Sequence, residues 1–157
     1  SYEIAKWTSL IPHPYSLLDA ENFLASARTS DTGDCQLAIT RKGDDALIGV
    51  AALDAPGEEP AELGYWLAQA EWGQGYGAEA ATAMAAHGFT ALGYDLLMAR
   101  HWIGNEPSRR ILEGIGFQRL REETTFSKAQ NRRVAAAYLE LPRSRWQALQ
   151  ASARNAP

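Results

Sequence analysis

The stretch Glu71–Ala80, EWGQGYGAEA, sets Gly73, Gly75 and Gly77 at alternate positions and then turns rich in alanine and glutamate. Alternating glycines give up backbone entropy, so they mark a place where the chain must bend sharply or approach something closely. The strand-like AELGYWLA (Ala61–Ala68) precedes the stretch. From Tyr76 to about Leu92 the chain is alanine-rich, with Met84, His87 and Phe89, and reads as a helix ending near Gly93. Glycines at a strand-to-helix junction let backbone N–H groups converge on one space, where the helix dipole adds roughly half a positive charge. Three readings fit so far: a turn before an ordinary helix, a nucleotide loop, and a cradle for a pyrophosphate.

Working outward, SLLDAENFLASAR (Ser16–Arg28) opens with Ser16 and Asp19 in capping-box spacing, and Leu17, Leu18, Phe23 and Leu24 suit one helical face. PHPY before it is extended, because proline pushes its predecessor out of the helical region. CQLAITR ends at the turn signal KGDD, ALIGVAAL runs to the loop DAPGEEP, and AELGYWLA follows, which predicts three antiparallel neighbouring strands. Beyond the glycines, DLLMARHWI reads as a strand buried on both faces for part of its length. EPSRRILEGIGF is a short helix with proline in its first turn and Gly116 as its stop. FQRLREETTFS and RRVAAAYLEL form a last hairpin across KAQN, and PRSRWQALQASA is a terminal helix. The strand–helix–strand unit around the glycines should be parallel and right-handed, giving a mixed sheet with helices on both faces.

The 157 residues match one domain, 1–157, and the 46% hydrophobic and 22% charged content is that of a globular protein. A net charge of −4 argues against a broad nucleic-acid surface and suits a cationic substrate. Cys35 is the single cysteine, which excludes an internal disulfide and a cysteine-based zinc site; no metal is expected, and Cys35 reads as a small buried or half-buried side chain. No run approaches the ~18 apolar residues of a membrane span and no signal peptide heads the chain, so a cytoplasmic location is expected.

The nucleotide reading weakens on spacing. GYGAEA matches G-x-G-x-x-A at Gly75, Gly77 and Ala80. That fingerprint needs its first glycine directly after the strand and an acidic residue ending the next strand. Here QAEW intervenes, and Asp95 falls at the start of the next strand. A P-loop is excluded because no Gly-Lys-Ser/Thr follows.

ELGYWLAQAEWGQGYGAEA followed by NEPSRRILEGIGF resembles the acyl-CoA-binding core of the GNAT superfamily of N-acetyltransferases, in the branch of the ribosomal-protein N-terminal acetyltransferases. The likeness runs from about Cys35 to Leu141, more weakly through IPHPYSLLDAENFL. It implies the GNAT fold, a mixed and mostly antiparallel sheet splayed at a central V between the strands ending at Trp66–Leu67 and at His101–Trp102. It also implies acetyl-CoA as cosubstrate. Its pantetheine arm would pair with the backbone of Leu67 and Ala68, and its pyrophosphate would rest on the amides of Gln74, Gly75, Tyr76, Gly77 and Ala78. Asn105 would bond the pantetheine amides, Ser108 would sit beside the sulfur, and Arg109 and Arg110 would meet the 3′-phosphate, with solvated helix arginines as the competing reading. The family's loop begins with Gln or Arg at the position of Trp72, so that phosphate contact is missing. The resemblance also implies a first strand and helix before IPHPY. SYEIAKWTSL reads instead as a helix end, so the chain is expected to lack them or to have that sheet edge covered by a partner, with a homodimer as one form.

Transfer of acetyl from a thioester to an amine requires a base, because alkylamines hold their proton to pH about 10. Glu62, on the strand flanking the cleft, is the candidate, with a solvated carboxylate as the plainer reading. A backbone N–H near Leu67 would hold the oxyanion. The tyrosine with which many relatives protonate the thiolate falls at Leu112 here, which leaves Ser108 as the substitute, against a first-turn hydroxyl bonding its own backbone. Tyr15, Tyr65 and His101 are candidates for the acceptor site, and a structural histidine competes at His101. Of Tyr65 and Trp66, alternating on one strand, one should be core. The expected function is acetyl transfer to a primary amine by direct attack in a ternary complex; the alternative is a non-catalytic acyl-CoA-binding or regulatory module.

Overall fold

The computed structural model describes residues 1–29, 35–55 and 60–155. The elements are α1 (Tyr2–Ala5), α2 (Leu17–Thr29), β1 (Cys35–Thr40), β2 (Leu47–Asp54), β3 (Ala61–Leu67), a 3₁₀ turn (Gln69–Glu71), α3 (Tyr76–Thr90), β4 (Leu96–Trp102), α4 (Glu106–Ile115), β5 (Gln118–Ser127), β6 (Arg132–Pro142) and α5 (Arg143–Arg154). The strands make one six-stranded sheet in the order β1-β2-β3-β4-β6-β5. Every neighbouring pair is antiparallel except β3–β4. The expected order of elements and the parallel unit around the glycines are therefore present.

Period-two alternation decides which side of each strand meets the core. On β3 the buried residues are Ala61, Leu63 and Leu67, and on β4 they include Leu97 and Ala99. These meet α3, whose buried residues Gly77, Ala81, Met84, Ala85, Gly88 and Phe89 recur at helical spacing. Leu53, Leu112, Phe117, Leu139 and Leu141 complete the core, and Cys35 packs against it half-buried, as a free thiol. Each fully buried Leu or Phe contributes roughly 1.5–3 kcal/mol of apolar transfer. α5 lies on the same side: Trp146 stacks on Phe89 at 5.1 Å, and Arg143 donates to the carbonyls of Phe89 and Tyr94.

The N-terminal segment and α2 cover the opposite face. Lys128 N–H donates to Ser9 O (3.0 Å) and Gln130 Nε2 to Lys6 O (2.8 Å), stitching the segment to the β5–β6 turn. The capping box of α2 forms as expected, with Ser16 N–H donating to Asp19 Oδ2 (2.8 Å) and Asp19 N–H to Ser16 Oγ (3.2 Å). The apolar face expected for α2 does not. Leu17, Leu18 and Leu24 are exposed and Phe23 is only partly covered, while Asp19, Asn22, Phe23 and Ser26 form the stripe that lines the cleft below. At 3.6 residues per turn, Leu18 and Phe23 lie about 100–120° to either side of Leu17 and Leu24, so the four never shared a face.

Candidate acyl-transfer site

The parallel pairing of β3 with β4 covers Ala61↔Leu97, Glu62↔Met98 and Leu63↔Ala99 and then stops. Beyond it the strands part, and a cleft of about 1430 Å³ opens between them. The V expected from the resemblance is present. Because it is a gap in the sheet, residues from both faces reach it: Glu62, Gly64 and Trp66 from the side of α2, and Tyr65 with Ser108 from the side of α3 and α4.

Ladder alternation settles where the backbone of β3 points. Ala68 N–H donates to Ile48 O (2.7 Å), so in the β2–β3 ladder the pairs facing β2 are the even residues of β3. Leu67, opposite Gly49, turns its N–H and C=O toward the V. This corrects the expectation for Ala68: its N–H is held by Ile48 and its carbonyl accepts from Glu71 N–H (2.9 Å), so the inward-facing backbone is that of Leu67. Leu67 O accepts from Trp72 Nε1 (3.0 Å). Trp72, standing where a phosphate-binding Gln or Arg was expected, thus clamps the end of β3 instead.

The glycine loop leads directly into α3. Gly73 and Gly75 have positive φ (76° and 89°), and no atom lies within 4 Å of where a Cβ would stand on either. Gly75 is the N-cap of α3 without a side-chain cap, and the first intrahelical acceptor bond runs from Glu79 N–H to Gly75 O (3.1 Å). The amides of Tyr76, Gly77 and Ala78 are thereby the donors a helix start leaves for a ligand. Gly77 does something different from its neighbours. A Cβ there would meet Ile111 Cδ1 at 3.3 Å and Leu67 Cδ1 at 3.4 Å, so its missing side chain lets α3 seat on β3 and α4. Gln74 folds its side chain back onto Ala70 O (3.2 Å), leaving only its backbone for the cradle.

At the start of α4, Asn105 is the N-cap, its Oδ1 accepting Ser108 N–H at 3.3 Å. The Ser108 hydroxyl lies 3.2 Å from Tyr65 OH rather than on its own backbone. Burial pushes the Tyr65 phenol above its ordinary pKa, with the Ser108 bond opposing. Leu112, at the position where the resemblance implies a tyrosine, is fully buried in the core. Arg109 is a correction. Its guanidinium is held by Glu106 (2.7 Å) and Glu113 (2.6 Å) on the exposed side of α4, away from the cleft lining. Arg110 instead borders a shallow dent with Ala78 and Thr82, beside the α3 start.

On the opposite face Glu62 Oε1 sits 2.7 Å from Arg100 Nε. Burial raises the Glu62 pKa above the ordinary glutamate value; Arg100 opposes this and Asp54, directly across the β2–β3 ladder, reinforces it. Arg100 also reaches Ser9 Oγ (3.3 Å) and Tyr138 OH (3.4 Å), the second of which bonds Thr125 Oγ1 (2.8 Å). The cleft is lined by the carboxylates Asp19, Asp54, Glu62 and Glu71 against Arg100 and Lys128. Tyr15 borders it, half-exposed. His101 is buried with Nδ1 3.0 Å from Trp102 O, the contact of a structural histidine, though its ring also borders the cleft. The indole N–H of Trp102 is buried in the cleft wall with no acceptor among the described residues, a donor that sequence reasoning did not single out. No group of three or more His, Cys, Asp or Glu among the described residues is placed to hold a metal. No described helix is long and apolar enough to cross a membrane.

A mixed sheet forked at one parallel pair, with a helix N-terminus and glycine loop at the fork, is the architecture of an acyl-CoA-dependent transferase. The model of the acetyltransferase (GNAT) domain matches residues 1–118, and the chain belongs to that family. It is 30% identical over 101 residues to Uncharacterized N-acetyltransferase p20 of Bacillus licheniformis, covering 63% of this chain and 57% of that protein. It is 32% identical over 83 residues to Uncharacterized N-acetyltransferase YoaA of Bacillus subtilis, covering 52% and 47%. The chain thus spans about half the length of the curated relatives it matches. Among solved structures, Mycobacterium smegmatis RimJ in complex with CoA-disulfide superposes with a TM-score of 0.78 at 19% identity, covering 98% of this chain and 79% of that one. Vibrio cholerae spermidine N-acetyltransferase, in complex with CoA and spermine, gives 0.77 at 16% identity, covering 94% and 86%. At these identities the likeness is one of fold.

Proposed function

We propose that the protein is an acetyl-CoA-dependent N-acetyltransferase acting on a primary amine by direct attack in a ternary complex. The observation that carries this reading is the gap in the sheet after Leu63↔Ala99, with a carboxylate on one side and a hydroxyl beside a helix N-terminus on the other. Two substrates can then approach from opposite faces and meet in the gap, which a shuttle through a covalent enzyme intermediate would not need. The amides of Gly75 to Ala78 and the 3′-phosphate partner Arg110 would hold the coenzyme end, with Asn105 Nδ2 donating to pantetheine. The Leu67 N–H, turned into the V, would donate to pantetheine or to the oxyanion.

Glu62 would take the proton that the attacking amine sheds, and its raised pKa makes it a stronger base than an exposed glutamate. As the tetrahedral adduct collapses, the C–S bond breaks with its electron pair on sulfur, and Ser108 donates its O–H to that sulfur. A thiol pKa near 8.5 makes the thiolate a workable leaving group near neutrality, its proton returning from solvent. The surplus of carboxylates in the cleft favours a cationic acceptor. The orphaned Trp102 N–H supports the reading further, since a buried donor without an acceptor costs about 1–3 kcal/mol that a substrate oxygen would relieve. The test is release of free CoA thiol on mixing the protein with acetyl-CoA and a panel of N-terminal peptides, polyamines and amino acids. Tight CoA binding with no thiol released anywhere on that panel would favour the non-catalytic acyl-CoA-binding module.

A further inference from the structure

We propose that Tyr65 is a positioning residue for the leaving sulfur: its phenol donates to Ser108 Oγ and so turns the Ser108 proton into the cleft. This rests on the acetyl-CoA reading above and adds to it a residue of β3 that acts through Ser108 on α4.

A serine at the third position of a helix ordinarily bonds its own backbone, since the first-turn groups are the nearest unpaired partners. Here Asn105 Oδ1 accepts the Ser108 N–H, and among the described residues the Ser108 hydroxyl is bonded to no backbone group of the first turn. The hydroxyl turns instead across the fork of the sheet to a phenol 43 positions earlier, at 3.2 Å. Tyr65 has little freedom to leave. It packs against the core, and its Cε2 lies 3.8 Å from where a Gly77 Cβ would stand, so the close seating of α3 fixes the ring. Between a phenol and an aliphatic hydroxyl the more acidic group is the better donor, and burial keeps this phenol protonated at neutral pH. With Tyr65 donating, the Ser108 oxygen is occupied as an acceptor and its own proton must point elsewhere; both residues border the cleft. No proton need leave Tyr65. It holds Ser108 as a donor, and the C–S electron pair goes to sulfur as described above. Leu112 fills with apolar volume the place where the resemblance implies a tyrosine, so the donor is Ser108 on α4, held from β3 by Tyr65.

The test is the acidity of the thiol of CoA bound to the full chain, read by thiolate ultraviolet absorbance against pH, in the wild type, Tyr65→Phe, Ser108→Ala and the double variant. Tyr65→Phe keeps the ring and its packing, and a thermal melt checks the fold of each protein. The expected result is a bound thiol more acidic than free CoA, made less acidic by either single substitution and no less acidic again by both. In turnover, Tyr65→Phe should lower kcat about tenfold with KM for acetyl-CoA within about twofold. Additive effects of the two substitutions, or a bound thiol no more acidic than free CoA, would overturn the proposal. If Tyr65→Phe does not fold, Ser108→Ala decides: a bound thiol as acidic as in the wild type removes the donor Tyr65 is said to set. Failure to bind CoA at all would overturn this proposal together with the acetyl-CoA reading. Binding without acetyl transfer would remove the enzyme reading alone, because the thiol titration still decides the role of Tyr65.

Discussion

Glu62 and Arg100 are joined by an ion pair of 2.7 Å laid diagonally across the last rungs of the parallel β3–β4 pairing. The pair therefore stands at the point where the sheet forks, and it holds the candidate base where an incoming amine would first meet the V. Glu62→Gln keeps the shape and removes the proton acceptor, so kcat/KM should fall by about 10²–10⁴ and the acid limb of the pH–rate profile should vanish. Arg100→Gln removes the charge that opposes burial. Glu62 should then titrate at still higher pH, and the acid limb should move up while the rate above it is largely kept. An acid limb unmoved by Arg100→Gln would assign that limb to another group.

The same shift has a consequence for stability. A glutamate whose folded pKa lies above its unfolded value disfavours folding once ionised. Its stabilising contribution, relative to Gln at that position, is full below the ordinary glutamate pKa and is lost as pH rises through the raised one. Urea denaturation of the wild type and Glu62→Gln at stepped pH should show the wild type losing ground across that window and a constant difference above it. A difference that grows in favour of the wild type would mean that Arg100 outweighs burial.

Much of this arrangement was legible in the sequence because it follows from local period and turn chemistry. Alternation along AELGYWL separates Glu62 from Tyr65, the glycines announce the α3 start, and Ser16 with Asp19 announces a cap. What was not legible comes from pairing at long range. Nothing in the chain between Glu62 and Arg100 says they touch, and Tyr65 meets Ser108 only because the V brings β3 and α4 together. Arg109 was misread for another reason. Glu106 and Glu113, three before it and four after, are its natural helix partners. Trp72 was read as a lost ligand when its indole N–H is a clamp on Leu67.

That clamp can be weighed. Trp72→Phe keeps most of the ring and deletes the donor to Leu67 O. One net hydrogen bond, about 0.5–1.5 kcal/mol, should disappear from the stability measured by thermal denaturation. CoA affinity should also weaken a few-fold, because the end of β3 is less firmly held against the cradle.

Gly49 supports the same strand end from the other side. A Cβ there would stand 2.2 Å from Trp66 O and 3.1 Å from Leu67 Cα, and neither backbone atom can rotate away. Gly49→Ala should therefore destabilise by about 1–3 kcal/mol, the range for overpacking. It should also impair CoA binding beyond Trp72→Phe, because relief of the clash moves Leu67 itself. Calorimetric titration with CoA alongside chemical denaturation would separate the two effects, and an Ala variant as stable as the wild type would mean the hairpin relaxes freely.

The two arginines at the start of α4 give opposite expectations on one helix. Arg109 is neutralised by two carboxylates on the exposed side, so Arg109→Ala should leave CoA affinity within about twofold. Arg110 borders Ala78 and Thr82 beside the amides that would take the pyrophosphate, where an exposed cation can still reach a phosphate. Arg110→Ala should weaken CoA about three- to tenfold and do so less at high salt, since an exposed charge pair is screened. The decisive comparison is dephospho-CoA: its affinity should be the same for the wild type and Arg110→Ala if the lost partner is the 3′-phosphate. An equal loss for both ligands would move the contact of Arg110 to the pyrophosphate.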